Sequence, residues 1–180
     1  MRLPAGMQVR ELSRHVDARG SFMELFRYEW ELGCEARQWN VVDSRAGVLR
    51  GVHVHVTHWD YLTVVSGTLL LGLHDLRTDS ETVGLSCFLR LEGDSPRAVS
   101  IPPGVCHGFY YPRAAVHIYA VSEYWNPADE LGCRFDCPEL GLDWPEAAPI
   151  LSDRDRDASG YAAMRRDYSE LASARAAGAP

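Results

Sequence analysis

Residues 50–67 read RGVHVHVTHWDYLTVVSG, and the direction of the side chains along this run decides both the fold and where to look for chemistry. Valine, threonine and tyrosine predominate, residues that favour a pleated, half-buried backbone. Successive side chains on a strand point to opposite faces. His53 and His55 therefore share one face, while Val52, Val54 and Val56 share the other. In a small barrel one such face looks inward. The plain account of the pair is two half-exposed imidazoles on a wet face; the alternative is a pair that moves protons or holds a metal. His58 falls near the turn expected after Val56 and reads as a surface residue. His15, His74 and His117 stand alone and read as structural.

The same pattern continues along the chain. Short segments rich in β-branched, leucine and aromatic residues predict strands at SFMELFR (21–27), RQWNVVDS (37–44), VLRGVHVHV (48–56), YLTVVSG (61–67), TLLLGLHDL (68–76), TVGLSCFLRL (82–91), AVSIP (98–102), CHGFYY (106–111) and VHIYAVSEYW (116–125). Ser66-Gly67 and Gly93-Asp94 read as tight turns, and Pro102-Pro103-Gly104 as a loop. Many short strands at this spacing indicate an all-β sandwich or barrel. Toward the end, DRDRD (153–157) is a charge cluster, and YAAMRRDYSELASARA (161–176) has helical composition suited to packing on the outside of a barrel.

Composition narrows the function. A chain of 180 residues suits one domain, 1–180, with a barrel core at about 20–127 and a C-terminal extension and helix at about 128–176. A net charge of −7 argues against nucleic acid, which requires a basic face. All 18 basic residues are arginine, so lysine Schiff-base chemistry is excluded. No apolar run approaches the ~20 residues of a membrane span, and the N-terminus has no signal-peptide pattern; a cytoplasmic protein is expected. Five cysteines without framework spacing point to reduced thiols. Cys133 and Cys137 alone make only half a zinc site.

Two motifs carry a resemblance. His53-x-His55 is followed after four residues by Asp60 and after six more by Gly67, and Pro102-Pro103-Gly104-Val105-Cys106-His107 follows later. Together they resemble the paired motifs of the cupins, which implies a double-stranded β-helix, or jelly-roll barrel, with a short C-terminal helix. The resemblance implies a metal set of His53, His55, Asp60 and His107, a donor mixture suited to Fe, Mn, Ni or Zn.

Further segments resemble one cupin family in particular. DARGSFME (17–24), QWN (38–40), VLRGVH (48–53), DLR (75–77), SETVG (80–84), IPPG (101–104), HGF (107–109), Glu130, WP (144–145) and LS (151–152) occur in order. This set is similar to the dTDP-4-dehydrorhamnose 3,5-epimerase (RmlC-like) family from about residue 8 to residue 157. The resemblance implies an isomerase that inverts C3, C5 or both of a dTDP-4-keto-6-deoxyhexose through an enolate, without a cofactor. It implies His53 as the base, Asp155 as its partner and Tyr119 as the acid. Arg19, Glu24, Gln38, Asn40, Arg50, His107, Glu130 and Arg154 would line the substrate site, and the arginine fork suits a diphosphate. It also implies a homodimer in which the N-terminal strands cross to the partner.

The chain departs from that family in this same run. Where the family has glutamine two residues after the base, His55 stands, and Asp60 stands where the family has an enolate-stabilising lysine. The two changes together recreate the metal-cupin donors. Three readings follow: a deoxysugar epimerase, a metal-dependent cupin acting on another carbonyl or natural-product substrate, and a non-catalytic cupin that binds a sugar nucleotide.

Overall fold

In the computed structural model, which describes residues 1–124, 126 and 130–178, ten strands and two helices follow in order. The strands are β1 (Gln8–Glu11), β2 (Arg14–Asp17), β3 (Gly20–Met23), β4 (Gln38–Ser44), β5 (Leu49–His55), β6 (Asp60–Asp75), β7 (Ser86–Glu92), β8 (Arg97–Ile101), β9 (Val105–Val121) and β10 (Glu130–Gly132). The helices are α1 (Asp153–Arg156) and α2 (Tyr161–Gly178). The boundary expected near residue 127, and Trp125 at the end of the last expected strand, lie outside the described residues.

Two long strands organise the barrel. β6 and β9 pair antiparallel along nearly their whole lengths, and each serves two sheets. The first half of β6 pairs with β8 and its second half with β7. The first half of β9 pairs with β5 and its second half with β4. One wall therefore runs β1, β8, early β6, late β9, β4. The facing wall runs β7, late β6, early β9, β5, β10. This is the jelly-roll arrangement.

The strands expected at 61–67 and 68–76 are one strand, and so are those at 106–111 and 116–125 as far as Val121. Ser66-Gly67 is not a hairpin turn. Register shifts between Val64 and Leu70 bend β6 from one wall into the other. Gly67 has φ +78°, and a Cβ there would overlap the Ala114 carbonyl, so bend and close approach both require glycine.

Leu62, Val64, Leu69, Leu71, Leu73, Leu91, Val99, Ile101 and Tyr111 fill the closed end between the walls. A second core lies outside the β5 wall. There Val52 and Val54, the outward face of the histidine strand, meet Leu140, Leu142 and Met164. Met164 anchors α2, and a buried network adds direction. The Ser86 hydroxyl donates to the Leu140 carbonyl at 2.6 Å, so it accepts from His74 Nδ1–H at 2.8 Å. His74 Nε2 then accepts from the Tyr161 hydroxyl at 2.9 Å. Burial lowers the His74 pKa, which suits this neutral tautomer. All five cysteines are free thiols, and no helix among the described residues is long and apolar enough to cross a membrane.

Candidate active site

The open end of the barrel forms a cavity of about 260 Å³, small beside the about 300–1,000 Å³ typical of ligand pockets. It suits a sugar ring more than a whole nucleotide sugar. β4 lends Gln38, Asn40 and Val42; β5 lends Arg50, His53 and His55; β9 lends His107, Phe109, His117, Tyr119 and Val121; and Asp60 begins β6. Strand alternation puts these groups inward: on β4, Gln38 and Asn40 face the cavity while Trp39 and Val41 face out, Val41 at 69% exposure.

His53 reaches across to the C-terminal segment. Its Nε2 and Asp155 Oδ1 are 2.8 Å apart. Burial pushes the Asp155 carboxyl up, but the His53 hydrogen bond and charge, the Ser152 hydroxyl and the Gly51 amide outweigh it, and its pKa lies below the ordinary value. An ionised carboxylate only accepts, so His53 Nε2 carries a proton and donates it to Asp155. Glu130 Oε1 lies 4.0 Å from His53 Nδ1 and 2.9 Å from Arg154. Asp155 and Arg154 sit on α1, whose N-cap Ser152 accepts the Asp155 amide at 3.1 Å. The charge cluster of the sequence is thus one capped helical turn.

Tyr119 comes from the other wall. It lies opposite Asn40 on β4 and Leu62 on β6, whereas His53 lies opposite His107. Burial first, then the acidic Asp60 and Glu130, raise the Tyr119 pKa, which keeps the phenol protonated. Arg50 donates to Ser44 at 3.0 Å.

The third feature is a buried group of histidines around Asp60. His55, His58 and Asp60 place one donor atom each within 4.8 Å of one another. His58 is 6% exposed, not a surface residue: the turn after β5 folds inward, and its ring lies 3.8 Å from that of His55, centroid to centroid. The convergent set therefore differs from the four ligands that the sequence motif suggests. His53 is held by Asp155, and His58 stands in its place. His107 Nε2 is also 3.8 Å from Asp60 Oδ2. Burial, then Glu130, push the Asp60 carboxyl well up; burial, then the charge of His53, bring His107 down to about 3.

Two expected residues are not in this cavity. Arg19 pairs with Asp17 at 2.7 Å on the β2–β3 turn, and Glu24 pairs with Arg27; both are exposed and far along the N-terminal ladder. Two cavity histidines, His58 and His117, differ from expectation, the first read as a surface residue and the second as structural. His117 hydrogen bonds the Tyr111 hydroxyl at 3.1 Å, and its place two residues before Tyr119 on one strand face was the available signal.

Comparison with known proteins agrees with this architecture. The profile of the dTDP-4-dehydrorhamnose 3,5-epimerase family matches residues 4–162. A dTDP-4-dehydrorhamnose 3-epimerase of Streptomyces niveus is 37% identical over 81% of this chain and 74% of its own. A 3,5-epimerase of Streptomyces griseus is 34% identical over 92% and 90%. Among solved structures, NovW, a 4-keto-6-deoxy sugar epimerase from the novobiocin gene cluster of Streptomyces spheroides, superposes with a TM-score of 0.82 at 32% identity, covering 91% of this chain and 86% of that one. ChmJ, a 3'-monoepimerase of Streptomyces bikiniensis in complex with dTDP-quinovose, gives 0.82 at 28% identity over 95% and 96%. This chain belongs to the dTDP-4-dehydrorhamnose 3,5-epimerase family, isomerases of cupin fold that act on dTDP-4-keto-6-deoxyhexoses.

Proposed function

We propose that this protein inverts C3, C5 or both of a dTDP-4-keto-6-deoxyhexose, with His53 taking the proton beside the ketone and Tyr119 returning one from the opposite side. The observation that carries this is the 2.8 Å His53–Asp155 contact at the cavity wall facing Tyr119. Asp155 holds the imidazole in one tautomer and steadies the imidazolium that forms, a role worth about 10²–10⁴-fold in general-base chemistry. Inversion needs base and acid on different faces of the sugar, and groups from two facing sheets supply that arrangement.

Gln38, Asn40, Arg50, His107, Glu130 and Arg154 line the sugar and the start of the diphosphate. The small cavity leaves the nucleotide outside it. Arg19 and Glu24 are assigned to the partner's nucleotide in a homodimer, because both are exposed and lie outside the cavity of their own barrel. Incubation with dTDP-4-keto-6-deoxyglucose in deuterated water tests the reading. Deuterium appears beside the ketone with the intact protein and falls at least ~100-fold in His53→Ala; an absence of uptake with the intact protein overturns it.

A further inference from the structure

We infer that His55, His58 and Asp60, joined by His107, bind a first-row divalent metal cation at the floor of the cavity. Three imidazole Nε2 atoms, from His55, His58 and His107, each lie 3.8 Å from the same oxygen, Asp60 Oδ2. None of these separations is a hydrogen bond, which ends near 3.2 Å for N–H···O. They gather three nitrogen donors around one carboxylate oxygen. Tetrahedral ligands at about 2.1 Å from a metal stand about 3.4 Å apart; the donor atoms of His55, His58 and Asp60 all lie within 4.8 Å of one another, so binding draws these three inward, and His107, which meets Asp60 but lies outside that group, moves further.

The chemistry of the donors agrees. His107 Nδ1 lies 3.2 Å from the Val105 carbonyl. A carbonyl only accepts, so Nδ1 carries the proton and Nε2 turns its lone pair toward Asp60. A backbone hydrogen bond of this kind orients histidine ligands in metal sites. Three imidazoles and one carboxylate suit zinc, iron, cobalt or nickel better than calcium or magnesium, which prefer oxygen. The set is distinct from one containing His53, whose Nε2 is committed to Asp155.

The site has a use in the reaction, a role that rests on the epimerase reading. Removing a proton beside a ketone sends the C–H electron pair toward the carbonyl oxygen, and a cation there lowers the barrier. Among the described cavity residues the formal cations are Arg50 and Arg154, and Arg154 is paired with Glu130; the chain has no lysine. A divalent ion with the Asp60 carboxylate carries a net single positive charge. With a fifth coordination position open to the ketone oxygen, such an ion would act as a Lewis acid there, while His53, outside the ligand set, takes the proton. No electrons leave or enter; the proton removed goes to His53 and the one returned comes from Tyr119.

The test uses the full chain, stripped by chelation and dialysed against Zn²⁺ or Co²⁺. Supporting results are about one equivalent bound per chain, visible Co²⁺ ligand-field bands, retention of both in His53→Ala, loss of both in His58→Ala with an unchanged circular dichroism spectrum, and a ~100-fold or greater fall in deuterium exchange on stripping, restored by metal. If His58→Ala unfolds, Asp60→Asn takes its place. The site is overturned if metal binds below a tenth of an equivalent or if His53→Ala loses it as His58→Ala does; its role in the reaction is overturned if stripped protein exchanges at the full rate. Metal bound without exchange in any form leaves the site standing and removes the epimerase reading instead.

Discussion

A buried carboxyl stays ionised only where its neighbours replace the water it has lost, and two aspartates of this barrel meet that condition differently. Asp75 is fully buried, yet Arg77 at 2.8 Å and the hydroxyls of Ser80 and Thr82, each at 2.6 Å, surround it. Burial pushes its pKa up; these hydrogen bonds outweigh that and bring it down to about 2. Asp60 has imidazoles at 3.8 Å and no such ring of donors, and its pKa moves up. For Asp75 the folded pKa lies below the unfolded one, so its contribution is complete above about pH 4 and disappears as pH falls toward 2. Asp75→Asn is expected to cost about 2 kcal/mol at pH 7, with the difference from the intact protein shrinking below pH 4. Urea melts at pH 7 and pH 3 read this directly; an equal loss at both would contradict it.

Among elements, α1 has the largest effect for its size. Its single turn, Asp153–Arg156, exists because Ser152 caps it, and the same cap seats Asp155 against His53. Ser152→Ala is expected to cost about 1 kcal/mol and to lower kcat of the epimerisation with little change in KM, with Ser152→Thr restoring both. Unchanged kcat in Ser152→Ala would show that Asp155 does not depend on its cap. This turn also shows where the sequence was legible. Ser152-x-x-Asp155 is a helix-start pattern, but the dense charge of DRDRD masks it as a helical turn. The inward face of His53 and His55 was readable because a strand alternates strictly. His58 was not, since the direction of a turn residue is set by what it packs on. Ser66-Gly67 had the composition of a hairpin turn and serves instead as a bend in β6, because glycine answers both needs. The His53–Asp155 pair, separated by 102 positions, is an expectation of the family resemblance alone, as are the roles proposed for Tyr119 and Glu130.

At the scale of the molecule, two long strands shared between two sheets leave one end of the barrel closed by leucines and the other open with polar walls. That division separates stability from chemistry: the closed end and the α2 face bury apolar area, while the open end collects titratable groups. The N-terminal ladder remains exposed in the single chain, with Val16 at 75% and Phe22 at 64% exposure, and Val41 and Trp39 on β4 are exposed as well. Exposed apolar residues of this kind are what the proposed homodimer would cover. Light scattering is expected to give a mass about twice the 20.1 kDa chain, reduced to the monomer by Phe22→Asp with Val41→Asp; a monomer in the intact protein would contradict the assignment of Arg19 and Glu24 to a partner.

The division of labour between the two walls is tested most directly by following proton exchange and inversion together, by NMR, on one dTDP-4-keto-6-deoxyhexose sample in deuterated water. If His53 takes the proton and Tyr119 returns it from the far side, His53→Ala abolishes both signals, whereas Tyr119→Phe still exchanges the proton but returns it to the same face, without the inverted sugar. Exchange persisting in His53→Ala, or inversion at the full rate in Tyr119→Phe, would contradict the account.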